Sequence, residues 1–123
     1  MSLRLGPAPL IERSSGCRDR AFRLGIVKEQ DGTNCRVRVT FREFDQMLSY
    51  WLPVVVPKTQ DDKVFWLPDP GEQVVCLMDE RDEAGVVLGA IYSQPDRPPV
   101  ADANKYHIGF KDGTSFEYDR GLH

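Results

Sequence analysis

Two histidines, three cysteines and one dense acidic run are the residues of this chain able to hold a metal or move a proton, and their spacing decides what they can do. His107 and His123 are too few for a histidine-rich site inside one subunit, because a closed zinc site takes four protein ligands. Three copies of either histidine could still meet on a threefold axis if the chain trimerised. Cys17, Cys35 and Cys76 are widely spaced, odd in number and without a Cys-x-x-Cys pair. They read as reduced thiols made in the cytoplasm, with Cys35 and Cys76 as small core residues inside apolar strands and Cys17 in a polar segment. The run Asp79, Glu80, Asp82, Glu83 lacks the alternating ligand order and central glycine of a calcium loop, so it reads as a solvated turn. Ser14, Ser15 and the cysteines have no recognisable base partner, and no glycine-rich phosphate loop is present. The pattern points away from an enzyme and assigns no cofactor and no metal ligand.

Binding chemistry is weighed the same way. With 16 basic against 19 acidic residues the net charge is −3 and the isoelectric point about 5.3, so the strong positive field of a phosphate-backbone binder is missing. Lys28, Arg36 and Arg38 fall on one wet strand face, which reads as a basic strip for nucleic acid or, more plainly, as a solvated face with scattered countercharges. Tyr50 and Trp51 could stack bases, yet Glu43 and Asp45 flank them and burial is the better expectation. A monomeric barrel that binds single-stranded nucleic acid or a saccharide is therefore the alternative reading. It needs exposed aromatics interleaved with Lys or Arg, and the aromatics here fall mostly on the apolar phase.

The elements that would position any of these groups are short strands. Nine prolines, ten glycines and no sustained helical period favour them. No apolar run reaches the length of a membrane span and no signal-peptide core opens the chain, so the general secretory route is not expected. Residues 1–20 carry Gly, Pro and Ser interruptions and read as a loosely held arm. Phe22, Leu24 and Ile26 alternate with polar or small residues; after Asp31-Gly32, Cys35, Val37, Val39 and Phe41 alternate with Arg36, Arg38 and Thr40, which predicts a hairpin with one face in a core. Residues 44–51 predict a helical turn or a loop, with Met47, Leu48 and Trp51 covering one end of the core. Leu52 to Val56 predicts a third strand, which Pro53 confines to an edge or a strand start.

Residues 65–92 organise the rest: Gln73 to Met78 and Val86 to Ile91 are apolar runs joined by the acidic connection, the pattern of a closing hairpin. Pro68 and Pro70 each fix a backbone angle and Gly71 can take a positive one, so PDPG is turn chemistry. Gly89 marks a bulge or sharp bend. Five strands over residues 21–92 suit a small Greek-key barrel of the oligonucleotide/oligosaccharide-binding (OB) type, with Ile26, Val37, Val39, Val75, Leu77, Val87 and Ile91 as its core.

Residues 93–104, with three prolines, predict a semi-extended connector. Residues 105–123 then alternate Tyr106, Ile108 and Phe110 about Asp112-Gly113 with Phe116 and Tyr118, a strong hairpin signal. A lone two-stranded ribbon is marginal in water, so this one must fold back or pair with sister chains.

In order, Trp66-Leu67-Pro68, Pro68-x-x-Gly71-Glu72-Gln73-Val74, the acidic loop, Gly85-Val-Val-Leu-Gly-Ala-Ile-Tyr92, the proline-rich connector and His107-Ile-x-Phe-x-Asp-Gly-Thr-x-x-Glu-Tyr-Asp119 resemble the baseplate assembly protein V family, the central tail spikes of contractile-tailed phages, and the similar domain of type VI secretion spikes. The resemblance covers roughly residues 22–119. It implies an all-β chain in which the OB-type barrel is followed by a hairpin that begins a trimeric β-helical spike, with Ile108, Phe110, Phe116 and Tyr118 in the seam and Asp112 and Gly113 setting its turn. It also implies a homotrimer that caps the tail tube, meets tube or baseplate hub proteins, and helps pierce the host outer membrane. The family continues past this point, so the resemblance implies a shortened form lacking the needle. Some relatives bind iron at the needle tip through a histidine motif that this sequence does not contain.

Overall fold

Strand β1 (Phe22–Asp31) pairs along both edges, which makes it the rail on which the main sheet is laid in the computed structural model of the chain; the structure describes residues 21–42 and 45–122. β1 pairs antiparallel with β2 (Arg36–Phe41) and with β5 (Gln73–Met78), and β5 pairs antiparallel with β6 (Gly85–Ala90). Two short strands complete the sheet on β2: β3 (Met47–Leu48) at one end and β4 (Leu52–Pro53) at the other. A separate two-stranded ribbon is made by β7 (Lys105–Gly109) and β8 (Ser115–Asp119). The chain divides into two compact units, Met1–Ile91 and Tyr92–His123.

The core of the first unit is Val27, Val37, Val39, Phe41, Leu52, Val74, Cys76, Met78 and Val87. Val37, Val39 and Val87 lie where their alternation places them. The other expected core residues are corrected. Ile26 and Val75 are half-buried on the opposite face, while Leu77 and Ile91 are 46% and 41% exposed. The reason lies in β1, whose inward positions are Arg23, Gly25 and Val27 instead of the apolar set Phe22, Leu24 and Ile26. Gly25 faces in where β2 passes close: a Cβ there would sit 3.0 Å from the Thr40 carbonyl, 3.2 Å from the Val39 side chain and 3.3 Å from the Phe41 ring, so a neighbour would have to give way. Cross-strand pairing then propagates the phase, since Arg23 faces Cys76 and Gly25 faces Val74. β5 is apolar on both faces, so periodicity alone could not choose between them.

Local turn chemistry fixes the registers. Asp69-Pro70-Gly71-Glu72 is a tight turn with Pro70 at its second position, Gly71 at φ +95° in its third, and Glu72 N–H donating to the Asp69 carbonyl at 3.0 Å. Gly71 N–H donates to the Val27 carbonyl at 2.8 Å and Val27 N–H to the Glu72 carbonyl at 3.0 Å, so this turn grips β1 just where its pairing with β2 shifts register. In the first hairpin, the left-handed residue is Cys35 at φ 55°, not Gly32. Cys35 is thus a half-exposed turn residue and not a strand core residue.

The segment expected to cover the core with Met47, Leu48 and Trp51 does something else. Among its described residues there is no helical turn: β3 adds to the β2 edge through Thr40↔Leu48 and Phe41↔Met47, leaving Met47 65% and Leu48 36% exposed. Ser49 continues that edge with its side chain, its Oγ accepting the Val39 N–H at 3.0 Å while its own N–H donates to the Val39 carbonyl at 2.8 Å. β4 sits at the far end of β2, and Val54 beyond it bridges Val87 of β6 in parallel fashion. Leu52 is fully buried, whereas Pro53 needs no N–H because it lies on an edge.

Candidate assembly surfaces

The ribbon is built by one turn and one polar ladder. Gly113 takes φ +94°, its N–H donates to the Phe110 carbonyl at 3.0 Å, and Phe110 N–H donates to the Thr114 carbonyl at 2.8 Å. Asp112 Oδ1 accepts the Thr114 N–H at 2.9 Å, and these contacts with Thr114 hold its carboxyl below the usual carboxylate range. Strand pairing puts Lys105, His107 and Gly109 opposite Asp119, Glu117 and Ser115. On that face Glu117 accepts from both neighbours, with His107 Nδ1 at 2.7 Å and Lys105 Nζ at 3.4 Å. The His107 hydrogen bond, with the Lys105 charge behind it, lowers the Glu117 carboxyl.

The other face carries Tyr106, Ile108, Phe116 and Tyr118, paired Tyr106↔Tyr118 and Ile108↔Phe116, with Phe110 at the turn. Tyr106 is 63%, Phe116 64%, Tyr118 52% and Phe110 46% exposed, while Ile108 is half-buried. Alternation therefore gives the ribbon one charged face and one aromatic face, and the aromatic face is exposed in the single chain. Such a concentration of large apolar side chains marks an interaction surface.

A second exposed apolar face, which the sequence reading assigned to the core, lies on β1 and β5. Phe22 pairs with Leu77 and Leu24 with Val75, and Phe22, Leu24 and Leu77 are 45%, 42% and 46% exposed. Alternation signalled these residues, but half of the β5 signal belonged to the face turned outwards. A third cluster gathers where β4 meets β6, with Val55 51% and Trp66 60% exposed beside the half-buried Val54 and Leu67.

The remaining candidates resolve into structural roles. Asp79 organises the acidic connection: its Oδ1 accepts the N–H groups of Arg81 at 3.1 Å and Glu83 at 3.0 Å, and these backbone bonds lower its carboxyl. Asp82 meets Arg23 at 3.5 Å. Among the described residues no group of His, Cys, Asp and Glu is arranged to hold a metal ion. The two arginines of the basic strip are locally countered, because Arg36 pairs with Asp31 at 2.8 Å, Arg38 approaches Glu29 at 3.8 Å, and both guanidiniums lie over Trp51 at 5.6 and 5.7 Å, while Lys28 is exposed. Trp51, half-buried, is engaged by those cations and does not stand open as a stacking platform, whereas Tyr50, expected to be buried, is 65% exposed. Near Gly89 the β5–β6 register shifts, but the unpaired residue is Leu88, and a side chain on Gly89 would meet nothing. Gly85 is the glycine that sequence reasoning missed: a Cβ there would run into the Leu77 carbonyl and Met78 Sδ. The N-terminal arm, with Ser14, Ser15 and Cys17, lies outside the described residues, as do Glu43, Phe44 and His123.

Comparison with known proteins agrees with this arrangement. The chain is 35% identical over 100 residues to the spike protein of Escherichia phage P2, an alignment that covers 80% of this chain and 46% of that protein. The chain thus spans about half the length of the curated relative it matches. Residues 23–92, which hold the six-stranded sheet, match the family described as the type VI secretion system/phage-baseplate injector OB domain, and the chain belongs to that family.

Proposed function

We propose that this protein assembles as a homotrimer forming the central spike of a contractile phage tail or prophage-like baseplate, where it caps the tail tube and helps to breach the host outer membrane. Membership of the spike and baseplate family makes it a structural, non-enzymatic protein. The observation that carries the rest is the aromatic face of the ribbon: Tyr106, Phe116 and Tyr118 are each more than half exposed in one chain, and three ribbons wound together would bury them against one another. Val54 bridging Val87, with Val55 N–H donating to the Val87 carbonyl at 2.9 Å, supports closure of the six-stranded sheet into an OB barrel.

The mechanism is mechanical. Sheath contraction drives the tube forward and the spike transmits the push, so what matters is resistance to unfolding under force. Interwound strands supply it because no subunit leaves without breaking many contacts together. Tube or hub proteins would meet the barrel end of this assembly.

Sedimentation tests the reading. The chain is expected to sediment as a trimer at micromolar concentration, and Phe116→Glu is expected to shift it towards monomer without changing the secondary structure of the barrel. A monomer that binds single-stranded oligonucleotide in a salt-sensitive manner would overturn it.

A further inference from the structure

Two exposed apolar depressions among the described residues of the first unit share no residue, and their charges are opposite. One lies on β1 and includes Phe22, Leu24 and Ile26 beside Arg42, with Arg23 as its other cation and no carboxylate among the described residues of its lining. The second lies at the β4–β6 junction and includes Val55 and Trp66 beside Asp69 and Glu72, with no cation. Arg23 is already engaged with Asp82, which leaves Arg42, exposed at the end of β2, as the cation at the rim.

The geometry points to a head-to-tail contact between copies of this chain, in which the Phe22–Leu24 face of one unit seats on the Val55–Trp66 face of the next and Arg42 meets Asp69 and Glu72. A twofold axis passing through either face would set that face against itself. That would oppose Arg42 to Arg42, or carboxylates to carboxylates, and like charges across an interface are unfavourable. Two different complementary faces make a heterologous contact, which closes into a ring when the rotation per copy fits. The inference rests on the spike reading for the number of copies alone. It assigns the barrel its own seam, independent of the ribbon.

Paired cysteines test it in the full chain. With Cys17 and Cys35 replaced by serine and Cys76 left in place, Leu24→Cys and Val55→Cys variants are prepared separately, one with a size tag. Mild oxidation of the mixture is expected to yield the mixed disulfide, and each variant alone to yield little. Arg42→Asp and Asp69→Arg are each expected to weaken association about tenfold, and the double variant to recover most of it. Self-crosslinking of Leu24→Cys as efficient as the mixture overturns the inference, and so does a sample that sediments as a trimer without any mixed disulfide. In the latter case the ribbon-based spike reading stands. If instead Phe116→Glu leaves the trimer unchanged while the mixed disulfide forms, the barrel seam stands and the ribbon loses its role.

Discussion

Asp31 shows how much one side chain can settle in this chain. Its Oδ1 accepts the N–H groups of Thr33 and Asn34 at 3.2 and 3.4 Å, and its Oδ2 takes Asn34 Nδ2 at 3.0 Å and Arg36 Nη2 at 2.8 Å. The Arg36 guanidinium, followed by Asn34, holds its pKa down to about 2. Because the folded value lies below the unfolded one of roughly 3.9, the stabilisation is present at neutral pH and is lost as pH falls from about 4 towards 2. Asp31→Asn is expected to remove that acid-dependent part, so that denaturant midpoints measured at pH 6 and pH 3 differ less than in the parent. Gly85 is the second telling residue: Gly85→Ala must displace the Leu77 carbonyl or Met78, and is expected to cost about 1–3 kcal/mol in denaturant unfolding. Gly89→Ala, which meets nothing, is expected to change stability by less than about 0.5 kcal/mol. The sequence announced Gly71 and Gly113 through their Pro and Asp neighbours. Gly25 and Gly85 gave no such notice, because their constraint comes from strands distant in sequence.

At the scale of elements, the strands could be located from their composition, but the way they face could not. β2 alternates Val37, Val39 and Phe41 with Arg36 and Arg38, and its inner face could be read directly. β1 gathers Phe22, Leu24 and Ile26 on the face that lies outside and β5 is apolar on both faces, while the close approach of β1 to β2 at Gly25 marks the face that goes in. Denaturation separates the two assignments. Val27→Ala, at a fully buried position, is expected to cost about 1–3 kcal/mol. Leu77→Ala, at a half-exposed outer position, is expected to cost less than about 1 kcal/mol in the isolated monomer. β3 was missed for a related reason: a two-residue strand has too little sequence to show a period, and its apolar pair Met47 and Leu48 looked like a lid. The proline-rich connector opens with a closed turn, in which Ser93 and Asp96 exchange backbone hydrogen bonds at 3.1 and 3.2 Å.

The whole molecule joins a unit with its own core to a ribbon with none. Among the described residues the first unit has nine buried hydrophobic side chains to hold it together, while the aromatic face of the ribbon is exposed. Stability of the two should therefore respond differently to protein concentration. Unfolding of the first unit is expected to respond to concentration only through the Arg42 seam, and so to lose that dependence in Arg42→Asp, whereas ribbon order, followed by amide exchange at Ile108 and Phe116, should rise with concentration in both parent and variant as chains associate. Both units were legible as strand-bearing segments in the sequence. What covers their outward apolar faces was not, because a pattern of side chains specifies a surface without its occupant.

Cys76 gives this protein a built-in clock. Its thiol is fully enclosed between β1 and β6, and burial pushes its pKa up to about 12. A sulfur so placed is neither ionised at neutral pH nor reachable, so an alkylating reagent must wait until the surrounding strands part. The pace at which Cys76 itself is alkylated, with no engineered label, reports how often the domain opens in solution, in a baseplate, or under load.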